Sequence, residues 1–320
     1  MAHLVEQMAY VGQTPWHGLG NELSANQPLE VWQKQAGMDW DIKEAPVQFT
    51  DVVDDTQSRL ITFPQSKVLY RSDTHAPLSV VSQRYQVVQP RELLEFYRDL
   101  TEVSGFQLET AGVLKGGKKV WALARTGHTA TIQANDVTNA YVLLATACDG
   151  TLATTAQFTA VRVVYNNTLA VAIDDSRGAV KVPHSTTFDA EAVKRQLDIS
   201  VSSWDTFMYR MKMLSERPVK HSEAEAFFRQ LFTEPRQDVS TQPNERAMSK
   251  ALDIYNGRGR GAELGSSKGT ALGLLNSITE FVDHERRARN TTDYRLDSAW
   301  FSQGAALKQK ALDRTLAMLA

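Results

Sequence analysis

Between Phe106 and Val164 apolar and polar residues alternate in short runs broken by glycine turns, a pattern that a helix cannot use. The runs Phe106-Gln107-Leu108-Glu109-Thr110-Ala111 and Lys119-Val120-Trp121-Ala122-Leu123-Ala124-Arg125 flank Lys115-Gly116-Gly117-Lys118. A tight turn between paired strands needs positive φ at its centre, which glycine adopts without strain, so the segment predicts a β-hairpin. Further strands are expected over Asn139–Ala147 and Thr154–Val164, separated by the turn at Asp149-Gly150, with a short helix from Asn166 to Ile173. A helix over Arg91–Ser104 precedes the hairpin; it starts after Pro90, ends at Gly105 and repeats Leu93, Leu94, Tyr97, Leu100 and Val103 at helical spacing. The expected order is therefore helix, hairpin, two antiparallel strands, helix.

Upstream, a helix is predicted over Pro28–Ala36 and strands over Ala45–Thr50, Arg59–Phe63, Lys67–Arg71 and Leu78–Val81. Beyond Pro183 the character changes. Thr187 can cap a helix, and Val193, Leu197, Val201, Trp204, Met208 and Met211 form a heptad-like stripe suited to a core or a partner helix. Helices follow over Ser222–Phe232, Asn244–Tyr255, Thr270–Arg287 and Ser298–Leu319. The reading is an α+β protein: residues 1–183 form a body with an antiparallel sheet, a β-hairpin and flanking helices, and residues 184–320 a mainly helical C-terminal region.

The 320 residues carry a formal net charge of -2, so any nucleic-acid surface must arise by local segregation of charge. The first sixty residues are acidic and the last eighty modestly basic. The single cysteine, Cys148, excludes an internal disulfide and a multi-cysteine zinc site, and its apolar surroundings predict a buried, inert thiol. The seven histidines are scattered, so neither a metal site nor a cofactor is expected. No leader-like segment opens the chain and no apolar run approaches membrane length, which points to the cytoplasm of the host cell. Gly265-Ser266-Ser267-Lys268-Gly269 matches a nucleophile elbow in letters only, because no strand precedes it.

Two features carry candidate chemistry. The glycine-rich stretch from Arg258 through Arg260 and Lys268 to Thr270 opens onto a helix, where free amides, the helix dipole and cations could seat a phosphate or a nucleotide. The hairpin gathers Lys115, Lys118, Lys119 and Arg125 beside Trp121, with Arg162, Tyr165, Asn166 and Asn167 on and after a later strand. Cations beside aromatics suit single-stranded nucleic acid, with stacking worth roughly 1–3 kcal/mol per base. Each feature also has a plain structural explanation: a helix connection for the first, and an inward core position for Trp121.

Thr14-Pro15-Trp16-His17-Gly18-Leu19-Gly20, Ser79–Pro90, Glu109-Thr110-Ala111-Gly112, Arg162–Leu169 and Lys268-Gly269-Thr270 together resemble the phage/plasmid-like proteins grouped as domain of unknown function 932. That resemblance implies a mobile-element context and no particular activity. Tyr165 stands where many relatives are expected to have cysteine, which argues against thiol chemistry at that turn. The order of elements also resembles the core of phage annealing proteins of Red-beta and RecT type. The resulting expectation is a non-enzymatic single-stranded DNA-binding and annealing protein of a phage or plasmid. The hairpin and the glycine-rich loop would line one basic furrow, and the chain would assemble into rings or filaments. Two alternatives stay open: an enzyme acting on nucleotides or nucleic acid at the glycine-rich loop, and a protein-interaction module directed at host defence.

Overall fold

The computed structural model describes residues 5–12, 20–54, 57–133, 136–162, 167–170, 179–195, 204–233, 244–286 and 294–319. The chain opens with β1 (Val5–Val11), β2 (Asn21–Leu23) and α1 (Leu29–Gln35). Next come β3 (Ile42–Asp54), β4 (Gln57–Arg71), β5 (Pro77–Ser82) and α2 (Pro90–Ser104). The central strands are β6 (Gln107–Leu114), β7 (Lys119–Thr131), β8 (Val137–Ala147), β9 (Thr154–Arg162), β10 (Asn167–Ala170) and β11 (Ala179–Val182). The helical part contains α3 (Trp204–Glu216), α4 (His221–Phe232), α5 (Glu245–Asp253), α6 (Ala271–Glu280), α7 (Tyr294–Phe301) and α8 (Gln303–Ala317).

The predicted hairpin forms. Its turn, Lys115–Gly117, holds Lys115, Gly116 and Gly117 at positive φ, and Gly112 pairs with Trp121 in the ladder behind it. An eight-stranded sheet runs β10-β9-β8-β7-β6-β1-β2, with β11 also on β9, while β3-β4-β5 make a separate three-stranded sheet. The pairing of β1 with β2 is parallel and the other strand pairs among the described residues are antiparallel.

Three sequence expectations need correction. The helix expected over Asn166–Ile173 is instead strand β10 within the described residues, paired antiparallel with β9 from Asn167 opposite Arg162 to Ala170 opposite Thr159. The free edge of β9 offers backbone partners at once, whereas an isolated short helix must first overcome its nucleation cost. That removes the closing helix on which the likeness to annealing proteins rested. Arg59–Phe63 and Lys67–Arg71 are one strand, β4, bulged where Pro64, Gln65 and Ser66 go unpaired with β3. The last predicted helix breaks at Ser302 into α7 and α8.

Strand alternation gives the eight-stranded sheet two different faces. Val120, Ala122 and Ala124 of β7 face α2 and join one continuous apolar cluster with Leu94, Phe158, Phe228, Leu272 and Leu312. Val193, Trp204, Met208 and Met211 of the heptad-like stripe lie buried in that cluster; Leu197 and Val201 fall outside the described residues. On the reverse face Leu114, Trp121, Leu123, Tyr141 and Leu143 form a second cluster, closed by Leu296, Trp300 and Phe301 of α7.

Helix α6 is the pillar of the helical part, since every residue from Ala271 to Glu280 is buried. Thr270 caps it by accepting the Gly273 amide at 3.1 Å. Gly273 sits where a Cβ would lie 1.9 Å from the Ser267 carbonyl oxygen, so the loop backbone occupies the space a side chain would need. Helix propensity favours alanine over glycine by about 1 kcal/mol, but that gain is small beside a backbone collision. Gly273→Ala is expected to cost about 3 kcal/mol or more of stability. Gly269→Ala, where φ is +68° and nothing lies within 4 Å of the added Cβ, should cost only about 1–2 kcal/mol. Urea unfolding midpoints of the two variants check the order.

Candidate functional site

At the hairpin end, two of the cations that suggested a nucleic-acid surface, Lys115 and Lys119, are consumed internally. Lys119 is 3% exposed and donates to Asp297 on α7, a residue 178 positions away; Lys115 donates to the same carboxylate at 2.8 Å. The Lys119 ammonium also lies 4.9 Å from the centre of the Phe301 ring. Burial pulls the Lys119 pKa below its ordinary value despite Asp297. Burial would raise the Asp297 pKa, but the hydrogen bonds from Lys115 and Lys119 outweigh it and hold the carboxyl below its usual range. Trp121 is buried edge-on to Trp300 with ring centres 5.0 Å apart, so it is a core residue and no stacking platform. Lys118 stays half-buried, its carbonyl accepting the Cys148 amide at 2.9 Å. Cys148 is buried, and burial pushes its thiol up to about 12, as expected of an inert cysteine.

Farther along the same face, Arg125 donates to Asn139 at 3.0 Å, and Tyr141 donates to both carboxylate oxygens of Glu109 at 3.0 and 3.1 Å. Burial raises the Glu109 pKa, with the Tyr141 hydroxyl and Arg125 opposing. Arg162 and Asn167 are paired across β9 and β10, while Tyr165 and Asn166 lie outside the described residues.

The single furrow expected between the hairpin and the glycine-rich loop is not formed. The loop is fastened to the opposite end of β7: Ser266 donates to Asp136 at 2.6 Å, just beyond the strand's last residue, Thr131. The thirteen residues of β7 span about 40 Å at the usual rise per residue. The loop that carries Arg258, Arg260 and Lys268 is thus anchored toward one end of β7, and Lys115, Lys118 and Lys119 lie at the other.

The loop builds its own site. Between the π-turn Ile254–Arg258, the loop and α6 lies a partly open recess of about 10 Å³, room for one water molecule. Tyr255, Arg260, Ser267, Asn276, Ser277 and Glu280 supply its polar lining. Glu280 is 5% exposed, and both of its oxygens accept the Arg260 amide, at 3.0 and 2.9 Å. The chain's own carboxyl thus fills the anion seat that the loop amides promised. Burial raises its pKa, with the Arg260 amide opposing. Asn276 donates to the Ser267 hydroxyl at 2.9 Å. The Tyr255 hydroxyl is buried with no hydrogen-bond partner among the described residues, and burial pushes it up to about 12. Gly259 has no room for a side chain: a Cβ there would lie 2.6 Å from the Ile254 side chain and 2.9 Å from Glu280. On the outer side, Arg258 meets Asp253 at 3.0 Å and Lys268 meets Glu263 at 3.9 Å, both in exposed pairs that bind weakly. π-Turns are rare and tend to mark functional positions; a second one, Phe281–Glu285, leaves α6 immediately after Glu280.

Sequence reasoning found Arg258, Arg260 and Lys268 and missed Tyr255, Asn276 and Glu280. The missed signal was the polar set Asn276, Ser277, Thr279 and Glu280 within the apolar stretch that begins Ala271-Leu272-Gly273-Leu274-Leu275. Polar residues in a helix buried all round must have partners nearby. Among the described residues no group of three or more His, Cys, Asp or Glu could hold a metal ion, and no helix is long and apolar enough to cross a membrane. A family model with the description "Domain of unknown function (DUF932)" matches residues 77–300. No curated protein matches the chain.

Two stability measurements follow from these environments. Asp297→Ala leaves Lys119 buried without its counter-charge and is expected to cost about 3–5 kcal/mol. Lys119→Met should cost much less, because Asp297 keeps Lys115; chemical denaturation at neutral pH separates the two. Asp297 also contributes stability present above the ordinary carboxylate range and lost as pH falls through its depressed folded pKa. Glu280 has the opposite sign. The folded state holds its proton more tightly than the unfolded chain does, so stability falls as pH rises from the unfolded carboxylate range through the raised folded pKa. Glu280→Gln should therefore melt higher than the parent at neutral pH, and that advantage should vanish below about pH 4.

Proposed function

The chain belongs to the DUF932 family, whose description assigns no activity, and we propose that it binds single-stranded nucleic acid by holding one unpaired nucleotide against the mouth of the recess beside Glu280. The observation that carries this reading is the composition of the recess wall. A buried carboxyl whose pKa burial raises, the Asn276 amide, and the Tyr255 phenol, which has no partner among the described residues, offer donors and acceptors to the edge of a base. Arg258, Arg260 and Lys268, on the same loop, supply cations for the phosphate outside. The recess itself has room for about one water molecule, so a base meets its polar rim edge-on and the phosphate lies outside.

This reading keeps the nucleic-acid expectation and drops the furrow. It calls for an unpaired base, because a base inside a duplex cannot present its edge to the recess without leaving the stack. Annealing along a continuous groove has no support from the two cation clusters, which β7 holds apart. The phage or plasmid setting remains an inference from sequence resemblance.

Fluorescence anisotropy with a labelled oligothymidylate tests the reading. With about three phosphate contacts, raising salt from about 50 to 200 mM should weaken binding about 20-fold. A long basic furrow would instead lose about a thousandfold or more. Arg260→Glu with Lys268→Glu should abolish binding, Lys118→Glu should leave it unchanged, and duplex should compete poorly. No binding of the oligonucleotide at millimolar concentration, or sensitivity to Lys118→Glu alone, removes the proposal.

A further inference from the structure

The three-stranded sheet presents an outer face that is wrong for water. Alternation puts Ile42, Leu69 and Val81 inward, where all three are buried. The residues between them point the other way. Along β3 the outward row reads Lys43, Ala45, Val47, Phe49, Asp51. Register continues it across the sheet, with Val47 opposite Phe63, Phe49 opposite Ile61, and Ala45 opposite Val68, which in turn pairs with Val80. Val80 is 63% exposed, Phe49 51% and Phe63 42%. The solvent face of an antiparallel sheet normally alternates to polar residues, and a contiguous apolar strip of this kind marks an interaction surface. Leu60 and Val52 are also exposed but lie on the reverse face of the ribbon and take no part.

We infer that this face is the contact by which two copies of the chain pair about a two-fold axis, independently of the nucleotide reading above. The outward row of β3 is complementary to itself. Laid antiparallel on a second copy with Val47 on the axis, Lys43 meets Asp51 of the second copy, and the small Ala45 meets its large Phe49. Each residue finds a partner of opposite charge or complementary size, as an isologous interface requires. Among the described residues, Lys43 and Asp51 are held meanwhile only by exposed pairs, to Asp41 at 3.4 Å and to Arg59 at 3.2 Å, which exchange at little cost. Pro46 has no N–H to offer on the outer strand β3, which disfavours extension of the sheet edge to edge and leaves face-to-face packing as the mode. A net charge of -2 gives two copies little reason to repel. An isologous contact closes at two, so the assembly is a dimer and neither a ring nor a filament.

Sedimentation velocity of the full chain tests this. The parent should run as a dimer at micromolar concentration. Phe49→Asp should weaken association by about 30-fold or more while the far-ultraviolet circular dichroism spectrum stays unchanged. Lys43→Glu and Asp51→Lys should each dissociate the dimer by placing like charges opposite one another, and an equimolar mixture of the two should dimerise, because both contacts then join opposite charges. A monomeric parent at about 100 µM overturns the inference and leaves the face to a different partner. A dimer that withstands Phe49→Asp, or a mixture that stays monomeric, overturns it as well.

Discussion

The helical part depends on a helix that is buried on every side and yet carries polar side chains. An all-round buried helix has no wet face to which Asn276, Ser277, Thr279 and Glu280 could turn, so each needs a partner inside the protein. Ser277 bonds back to the Gly273 carbonyl at 2.7 Å and Thr279 to the Asn276 carbonyl at 2.9 Å, which satisfies them within the helix. Asn276 and Glu280 are longer and reach outward, to the Ser267 hydroxyl and the Arg260 amide. Those two bonds hold the glycine-rich loop down on the helix. They also explain Gly259 and Gly273, because a loop tied this closely leaves no space for a side chain at either position. The recess is what remains open between a loop fastened at those points and the π-turn that ends the preceding helix.

Buried ion pairs bind the rest of the helical part in place. Lys308 of α8 meets Asp283, in the π-turn after α6, at 2.9 Å with both side chains nearly inaccessible. Asp297 of α7 does the same for the hairpin lysines. Such pairs add little net stability compared with apolar packing, but removing one partner is severe, so they fix where each helix can sit. Helix α7 is thereby directed to the reverse face of the eight-stranded sheet, where Leu296, Trp300 and Phe301 cover Trp121 and Leu123.

The local elements were readable in the sequence because their causes are local. Alternation with Gly116-Gly117 announced the hairpin, and the spacing of Leu93, Leu94 and Tyr97 announced α2. Strand β10 was missed because its cause is the open edge of β9, which no window around Asn167 contains. The function of the hairpin lysines was misjudged for the same reason. Four basic residues close together in sequence looked like surface charge, but the carboxylate that neutralises Lys115 is 182 positions away. Glu280 illustrates the converse. Its neighbours Ile278 and Phe281 are buried, and nothing local says that Arg260 will supply an amide to it. Sequence neighbours therefore predicted backbone geometry well and net surface charge poorly.

The two surfaces proposed for binding do not compete for space. The three-stranded sheet packs against the hairpin end of the molecule, where a Cβ on Gly117 would come within 3.0 Å of the Trp40 ring and 3.2 Å of the Arg71 side chain. The recess lies by the Asp136 turn, at the other end of β7. Pairing through the outer face of β3 and β4 would therefore leave each recess uncovered at the other end of β7.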